Sequence, residues 1–301
     1  MAFTRSGRIA ASIAALALGT AGLASCAGND GGGSGGAGGD DETVTIGVVG
    51  ASDAYWQTFV DAAAEEGITV ELEDFAEYTQ PNPALSEGEL DLNQFQHLQY
   101  LADYNVSNND DLVPIGATAI YPLGLFSTTH ESLDEIPDGG TVAIPSDPSN
   151  RARALNVLQE AGLVELSDGG TFASEPSDVE PSSRVEVMEM DASFTATSLA
   201  DVDAAVVNND FVTDAGLKFD EALFQDDPEA ESAQPFINVF AARADDADNE
   251  TYLKLVEIYQ TNQDVQDGVF ENSGDSAILL DTPVEELQQI LQDAEDQIRE
   301  N

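Results

Sequence analysis

Residues 44–75 read VTIGVVGASDAYWQTFVDAAAEEGITVELEDF, and that stretch decides the fold class. Val44 to Val49 is a short, nearly unbroken apolar run, as expected of a strand buried on both faces. Tyr55 to Glu66 carries its apolar residues at helical spacing and is closed by Gly67, the residue that most readily takes the left-handed backbone at a helix end. Ile68 to Phe75 then alternates apolar and polar positions, the pattern of a half-buried strand. Strand, helix and strand in that order make a βαβ unit, whose strands run parallel with the helix laid across them.

Further along, Pro81, Asn82 and Pro83 break the chain before a short helix at Leu85-Ser86-Glu87, closed by Gly88. A strand at Leu90 to Phe95, a helix around Leu98 to Tyr104, and strands near Val113 to Ala119 and Tyr121 to Ser127 complete a first lobe. A second cycle starts at Thr141 to Pro145, passes through a helix from Arg151 to Ala161 stopped by Gly162, and reaches strands at Val185 to Met190 and Val202 to Val207. The cycles echo each other: Glu89-Leu90-Asp91-Leu92-Asn93 and Asp201-Val202-Asp203 through Val207-Asn208 each open with an early aspartate and end in asparagine. Phe236 to Ala242 is a strand returning to the first lobe, and helices at Glu250 to Asn262, Val265 to Asn272 and Val284 to Asn301 complete it. The expected fold is α/β with two lobes, lobe I from 43–128 plus 236–301 and lobe II from 129–235. Each lobe has a mostly parallel sheet, and two crossings between them act as a hinge. Ligands of such sheets sit beyond the carboxyl ends of the strands, here between the lobes.

Ahead of the folded part, residues 1–25 carry Arg5 and Arg8, no acid, and an apolar stretch from Ile9 to Ala21 that ends in Leu23-Ala24-Ser25-Cys26. That stretch is too short for a helix to span a bilayer core of about 30 Å, so it reads as a cleaved export signal. The ending resembles a bacterial lipobox, which implies cleavage before Cys26, lipid on its sulfur, and a location on the extracytoplasmic face of the cell membrane. Cys26 is the only cysteine, so no intramolecular disulfide forms. Residues 26–42 include GGGSGGAGG, a flexible tether with an r.m.s. span of roughly 20 Å, and no strand precedes it to make a phosphate loop. With 58 acidic residues against nine basic ones, the formal charge is −49. That excludes nucleic acid as a partner and suggests either adaptation to high salt, where the Debye length shrinks to about 3 Å at 1 M, or a generally acidic proteome with no salt requirement.

The helix after Asp147-Pro148-Ser149-Asn150 starts with good capping residues, yet Arg151 and Arg153 follow in its first turn, at the positive end of the helix dipole. Cations placed there suggest a ligand carboxylate for them to bind. The charge runs lack Ca²⁺-loop spacing, and His97 and His130, the only histidines, are too few for a zinc or manganese carrier, so neither metal nor cofactor is expected. No G-x-S-x-G, H-E-x-x-H or paired cysteine points to catalysis, and no enzyme is expected.

Several motifs carry a resemblance: Tyr78 with Pro81-Asn82-Pro83-Ala84-Leu85, Asn93-Gln94-Phe95-Gln96-His97, Tyr121-Pro122, Ser146 to Asn150 with Arg153, and Val207-Asn208-Asn209. In this order they resemble the NlpA-type methionine-binding lipoproteins from residue 43 to about 290. The resemblance implies a periplasmic-binding-protein-like fold of the class with two interlobe crossings. It also implies methionine in the cleft and delivery to an ABC importer made of a permease and its ATPase. By matching position, Arg153 grips the ligand carboxylate, Asn208 and Asn238 bond its amino and carboxylate groups, and Tyr78, Phe95, His97 and Tyr121 surround its side chain, with Asn150 beside them. A thioether suits aromatic surroundings. Ser146 stands where family members commonly have asparagine. The same clamp also suits another small zwitterion or a methionine-containing dipeptide, and a structural surface lipoprotein is the remaining reading.

Overall fold

The computed structural model describes residues 43–213 and 215–300. The expected signal peptide, the lipidation site Cys26 and the tether lie outside the described residues. In chain order the elements are β1 (Thr43–Val48), α1 (Ala54–Glu65), β2 (Thr69–Asp74), α2 (Pro81–Ser86), β3 (Leu92–His97), α3 (Leu98–Asn108), β4 (Val113–Ala117) and β5 (Ala119–Ile120). Next come β6 (Gly124–Phe126), β7 (Gly140–Pro145), α4 (Pro148–Glu160), β8 (Val185–Met190), α5 (Ala192–Ser198), β9 (Ala204–Val207) and β10 (Phe224–Gln225). The chain finishes with β11 (Asn238–Ala242), α6 (Glu250–Thr261), α7 (Gln263–Asn272), β12 (Ile278–Leu279) and α8 (Val284–Glu300).

Two five-stranded sheets form, in the orders β2-β1-β3-β11-β4 and β10-β6-β9-β7-β8. They share one plan. In the first, β1 runs parallel to β2 and β3, and β11 is antiparallel to β3 and β4. In the second, β7 runs parallel to β8 and β9, and β6 is antiparallel to β9 and β10. The antiparallel strand of each sheet is the one that has just crossed from the other. Sheet membership corrects one expectation: Tyr121 to Ser127 is not a strand of the first sheet. The chain leaves that sheet's side after β5, passes through Tyr121-Pro122-Leu123, and enters the second sheet at β6, earlier than the expected division after residue 128. Pro122, which has no N–H to give to a ladder, falls at the change.

Both faces of each sheet are covered, which explains the near-continuous apolar reading of β1 and β7. On the first sheet, Trp56 and Phe59 of α1 pack with Ile46, Phe240 and Tyr259 on one face, while Leu98, Leu101, Val239, Leu287 and Leu291 fill the other. On the second, Val142 and Ile144 meet Leu155 and Leu158 of α4, and Ala143 and Ala205 meet Ala196 and Leu199 on the opposite side.

The aspartate echo between the two cycles has a physical basis. Asp91, just before β3, accepts a hydrogen bond from the Thr45 amide at 2.8 Å, and its own amide returns one to the Thr45 carbonyl at 2.9 Å. Asp203, just before β9, does the same with Thr141 at 2.8 and 3.0 Å. Each carboxylate thus pins the third strand of its cycle to the first. The prolines of Pro81-Asn82-Pro83 do not precede α2 but open it, with Pro81 in the first turn where a missing N–H costs nothing. Asn82 then closes a buried amide cluster with β3: it exchanges bonds with Gln96 at 2.7 and 2.6 Å, and Asn93 donates to it at 2.9 Å.

Candidate ligand-binding site

A small cavity lies between the two sheets. Tyr78, Phe95, His97, Tyr121, Asn150, Arg153, Asn208 and Asn238, all expected from the sequence, line it together with Gln96, Tyr100, Pro122, Leu123 and Asn209. Phe95, Gln96 and His97 end β3, Asn150 and Arg153 lie in α4 just past β7, and Asn208 and Asn209 follow β9. These are carboxyl-terminal strand ends, where an open α/β sheet binds its ligand.

The polar wall is organised from the start of α4. Asp147, rather than Ser149 or Asn150, is its N-cap, and Pro148 occupies the first turn. Arg151 and Arg153 therefore sit in the second turn, beyond the strongest part of the helix dipole. Asp147 Oδ1 accepts from the Asn150 amide at 2.9 Å, the Asn150 side-chain Nδ2 at 2.9 Å and the Ser149 hydroxyl at 3.1 Å. Burial pushes the Asp147 pKa up, against the pull of those donors. Asn150 Oδ1 in turn accepts from Asn208 Nδ2 at 2.8 Å and meets His97 Nε2 at 3.2 Å. The Tyr100 amide donates to His97 Nδ1 at 3.1 Å, so the imidazole carries its proton on Nε2 and donates to Asn150. Burial, and then the charge of Arg153, push the His97 pKa down to about 3, so the ring is neutral over the ordinary pH range. Asn208 Oδ1 is buried with no hydrogen-bond partner.

Arg153 is 6% exposed and held on three sides. Its Nε and Nη2 grip Asp226 at 2.6 and 3.2 Å, Nη2 also donates to the Tyr121 carbonyl at 2.8 Å, and the guanidinium lies 4.1 Å from the centre of the Phe236 ring. Asp226 Oδ1 also accepts from the Leu123 amide at 2.7 Å. The arginine is thereby tied to both crossings: Tyr121 and Leu123 lie between β5 and β6, and Asp226 and Phe236 lie between β10 and β11. These bonds use Nε and Nη2 and leave Nη1 out.

The opposite wall is aromatic. Tyr78 packs against Phe95, Tyr100 and Phe211 with ring centres 5.9, 6.1 and 5.1 Å apart, and Val49 and Ala192 join the cluster. The Tyr78 hydroxyl donates to Asp210 Oδ2 at 2.7 Å, reaching from the first lobe to the second. Burial, and then Asp210, raise the Tyr78 pKa well above the usual phenol value, so it stays a donor. With Tyr78 on Asp210 and His97 on Asn150, the two walls are joined across the cavity and the cleft is shut.

Sequence reading missed Tyr100, Asp210 and Asp226. Tyr100 lies one helical turn past His97, a spacing that could have found it. An aspartate among 58 acidic residues gives no signal of its own. Ser146 is exposed and does not line the cavity. Among the described residues no group of three or more His, Cys, Asp and Glu side chains could hold a metal ion, and no helix is long and apolar enough to cross a membrane.

Comparison with known proteins converges on one group. Residues 44–278 match the family model of the NlpA lipoprotein. The chain is 34% identical over 229 residues to the probable D-methionine-binding lipoprotein MetQ of Haemophilus influenzae, covering 74% of this chain and 82% of that one. Among solved structures, it resembles the substrate-binding protein of a methionine transporter from Streptococcus pneumoniae, with a TM-score of 0.73 and 34% identity over 79% of this chain and 95% of that one. It also resembles a nutrient-binding protein from Burkholderia cenocepacia bound to methionine, with a TM-score of 0.72 and 33% identity over 78% of this chain and 99% of that one.

Proposed function

We propose, since this chain belongs to the NlpA lipoprotein family, that it captures methionine in the cleft between its lobes and delivers it to an ABC importer. One observation supports this reading above the others. Asn208 Oδ1 is a buried acceptor without a partner, on the same cavity wall as the buried cation Arg153. An α-amino acid offers the complement of both, an ammonium donor and a carboxylate, a few ångströms apart. The carboxylate goes to Arg153 with Asn238 beside it, and the ammonium goes to Asn208. The side chain turns toward Tyr78, Phe95, His97 and Tyr121, where a thioether gains roughly 0.3–1.5 kcal/mol per aromatic contact. The similarity to relatives named for methionine supports that choice of side chain. The role is binding, with no catalytic step.

The same reading places the chain on the extracytoplasmic face of the cell membrane, held by lipid on Cys26, with the importer's permease and ATPase as partners. Calorimetric titration of the ligand-stripped full chain against L-methionine, D-methionine, glycyl-methionine and other amino acids tests it. One saturable methionine site is the expected outcome. Binding confined to another zwitterion reassigns the ligand, and silence across the panel from a folded protein overturns the reading.

A further inference from the structure

We infer that Asp147 and His97 lock the polarity of the Asn150–Asn208 amide pair, so that the site selects a ligand with a hydrogen-bond donor on its α-carbon and rejects one with only an acceptor there. This rests on the functional reading above and adds two residues that position Asn208.

An asparagine side chain can present either its oxygen or its nitrogen to a ligand, and its surroundings decide which. Here the decision is made twice. From one end, the Asp147 carboxylate takes Asn150 Nδ2 at 2.9 Å and so turns Asn150 Oδ1 toward Asn208 and His97. From the other end, the Tyr100 amide can only donate, so His97 Nδ1 is an acceptor and Nε2–H a donor, which again requires oxygen on Asn150. Both lone pairs of Asn150 Oδ1 are then occupied, by His97 and by Asn208 Nδ2 at 2.8 Å. Asn208 has its nitrogen committed, and Oδ1 is left buried and unpartnered. Turning Asn208 over would set two amide oxygens against each other. Turning Asn150 as well would set its NH₂ against the His97 N–H and its oxygen against Asp147. Asp147 is not among the residues lining the cavity, so it acts on the ligand through two intervening amides.

The amine itself is a poor test of polarity, because removing it also removes a positive charge from a ligand inside a strongly acidic protein. The 2-hydroxy and 2-oxo analogues of methionine avoid this. Both carry only the carboxylate charge, yet the hydroxyl can donate to Asn208 Oδ1 and the ketone cannot. Displacement of labelled L-methionine from the full chain should show the 2-hydroxy acid binding at least about tenfold more tightly than 2-oxo-4-methylthiobutanoate, the cost of facing one buried acceptor with another. In the double variant Asp147→Ser, His97→Phe, the serine keeps a helix cap, the phenyl ring keeps the packing, and both locks are gone. The hydroxy-to-oxo ratio should then fall to about threefold or less, as Asn208 becomes free to turn.

A ratio within about threefold in the unmodified protein overturns the inference, as does a ratio unchanged in a double variant that still binds methionine. Should the double variant fail to fold, the ratio in the unmodified protein decides alone. If L-methionine itself does not bind, the functional reading falls and this inference with it. If methionine binds and the two analogues do not differ, this inference falls by itself.

Discussion

The two walls of the cleft are built on different principles. The wall from the second lobe is polar, and its bonds run within one helix start, one strand end and the crossings: Asp147 to Asn150 to Asn208, and Asp226 to Arg153. The wall from the first lobe is a stack of rings, Tyr78, Phe95 and Tyr100, packed by edges and faces, with directed bonds only from the Tyr78 hydroxyl to Asp210 and the Tyr100 hydroxyl to the Tyr78 carbonyl. A polar group must be oriented before it can discriminate, because a misplaced buried donor or acceptor costs about 1–3 kcal/mol. An apolar surface needs only to arrive. The difference suggests an order of events in which the second lobe reads the charged head of the ligand while the cleft is open, and the first lobe adds the aromatic wall on closing.

The largest effect should come from the polar wall. Arg153→Ala removes the cation and leaves the half-buried Asp226 without its counter-charge, an expected loss of about 1000-fold or more in affinity for every amino acid alike. Titration calorimetry on a variant with native circular dichroism checks this, and affinity retained within about tenfold would break the proposed division between walls. Asn208→Ala should cost about 10- to 100-fold, again without re-ranking side chains. The aromatic wall should behave differently. Phe95→Ala should weaken methionine by about tenfold while changing glycine or alanine much less, since only a long side chain reaches the rings. Equal losses for methionine and alanine would show that the rings serve the fold rather than the ligand. Tyr78→Phe keeps the ring and removes only the bond to Asp210, so a loss of about three- to tenfold, carried mainly by faster release, is expected from stopped-flow dissociation.

The walls were not equally legible in the sequence. The alternation of strands and helices could be read because glycines such as Gly67 and Gly162 mark helix ends, and residues at strand ends follow directly from placing the strands. Phe95, His97 and Asn208 lie at or just past such ends, but it is the resemblance to the NlpA-type lipoproteins, by matching position, that marks them as ligand residues. The first crossing was misplaced because Tyr121 to Ser127 is apolar enough for one strand, and only pairing shows that it changes sheets. The capping role of Asp147 was readable from Asp-Pro ahead of a helix, but Ser149 and Asn150 offered equally good caps. Asp226 was invisible for another reason. It lies 73 residues from Arg153, and local pattern carries no information about a pair closed by tertiary structure.

A third seam joins the lobes where α3 meets α4, and it is neither locked nor apolar. Asp103 Oδ2 of α3 and Arg151 Nε of α4 are both buried without hydrogen-bond partners. Burial, and then the charge of Asp147, raise the Asp103 pKa to about 7, with Arg151 opposing. An unfolded aspartate titrates near pH ~3.9. Between about pH 4 and 7 the folded chain therefore holds a proton that the unfolded chain has released, so this group makes stability fall as pH rises through that window. Above it the full penalty remains. Asp103→Asn keeps the shape and removes the charge, and should raise the melting temperature at pH 8 by a few degrees, about what 1 kcal/mol gives in a chain of this size. The gain should become small near pH 4, where Asp103 is protonated in the folded chain and about half protonated in the unfolded one. Melting curves at pH 4, 6 and 8 in fixed molar salt check it. A gain that ignores pH would assign the effect to packing, and a loss at pH 8 would show that Asp103 and Arg151 attract across the seam strongly enough to make it a third bond between the walls.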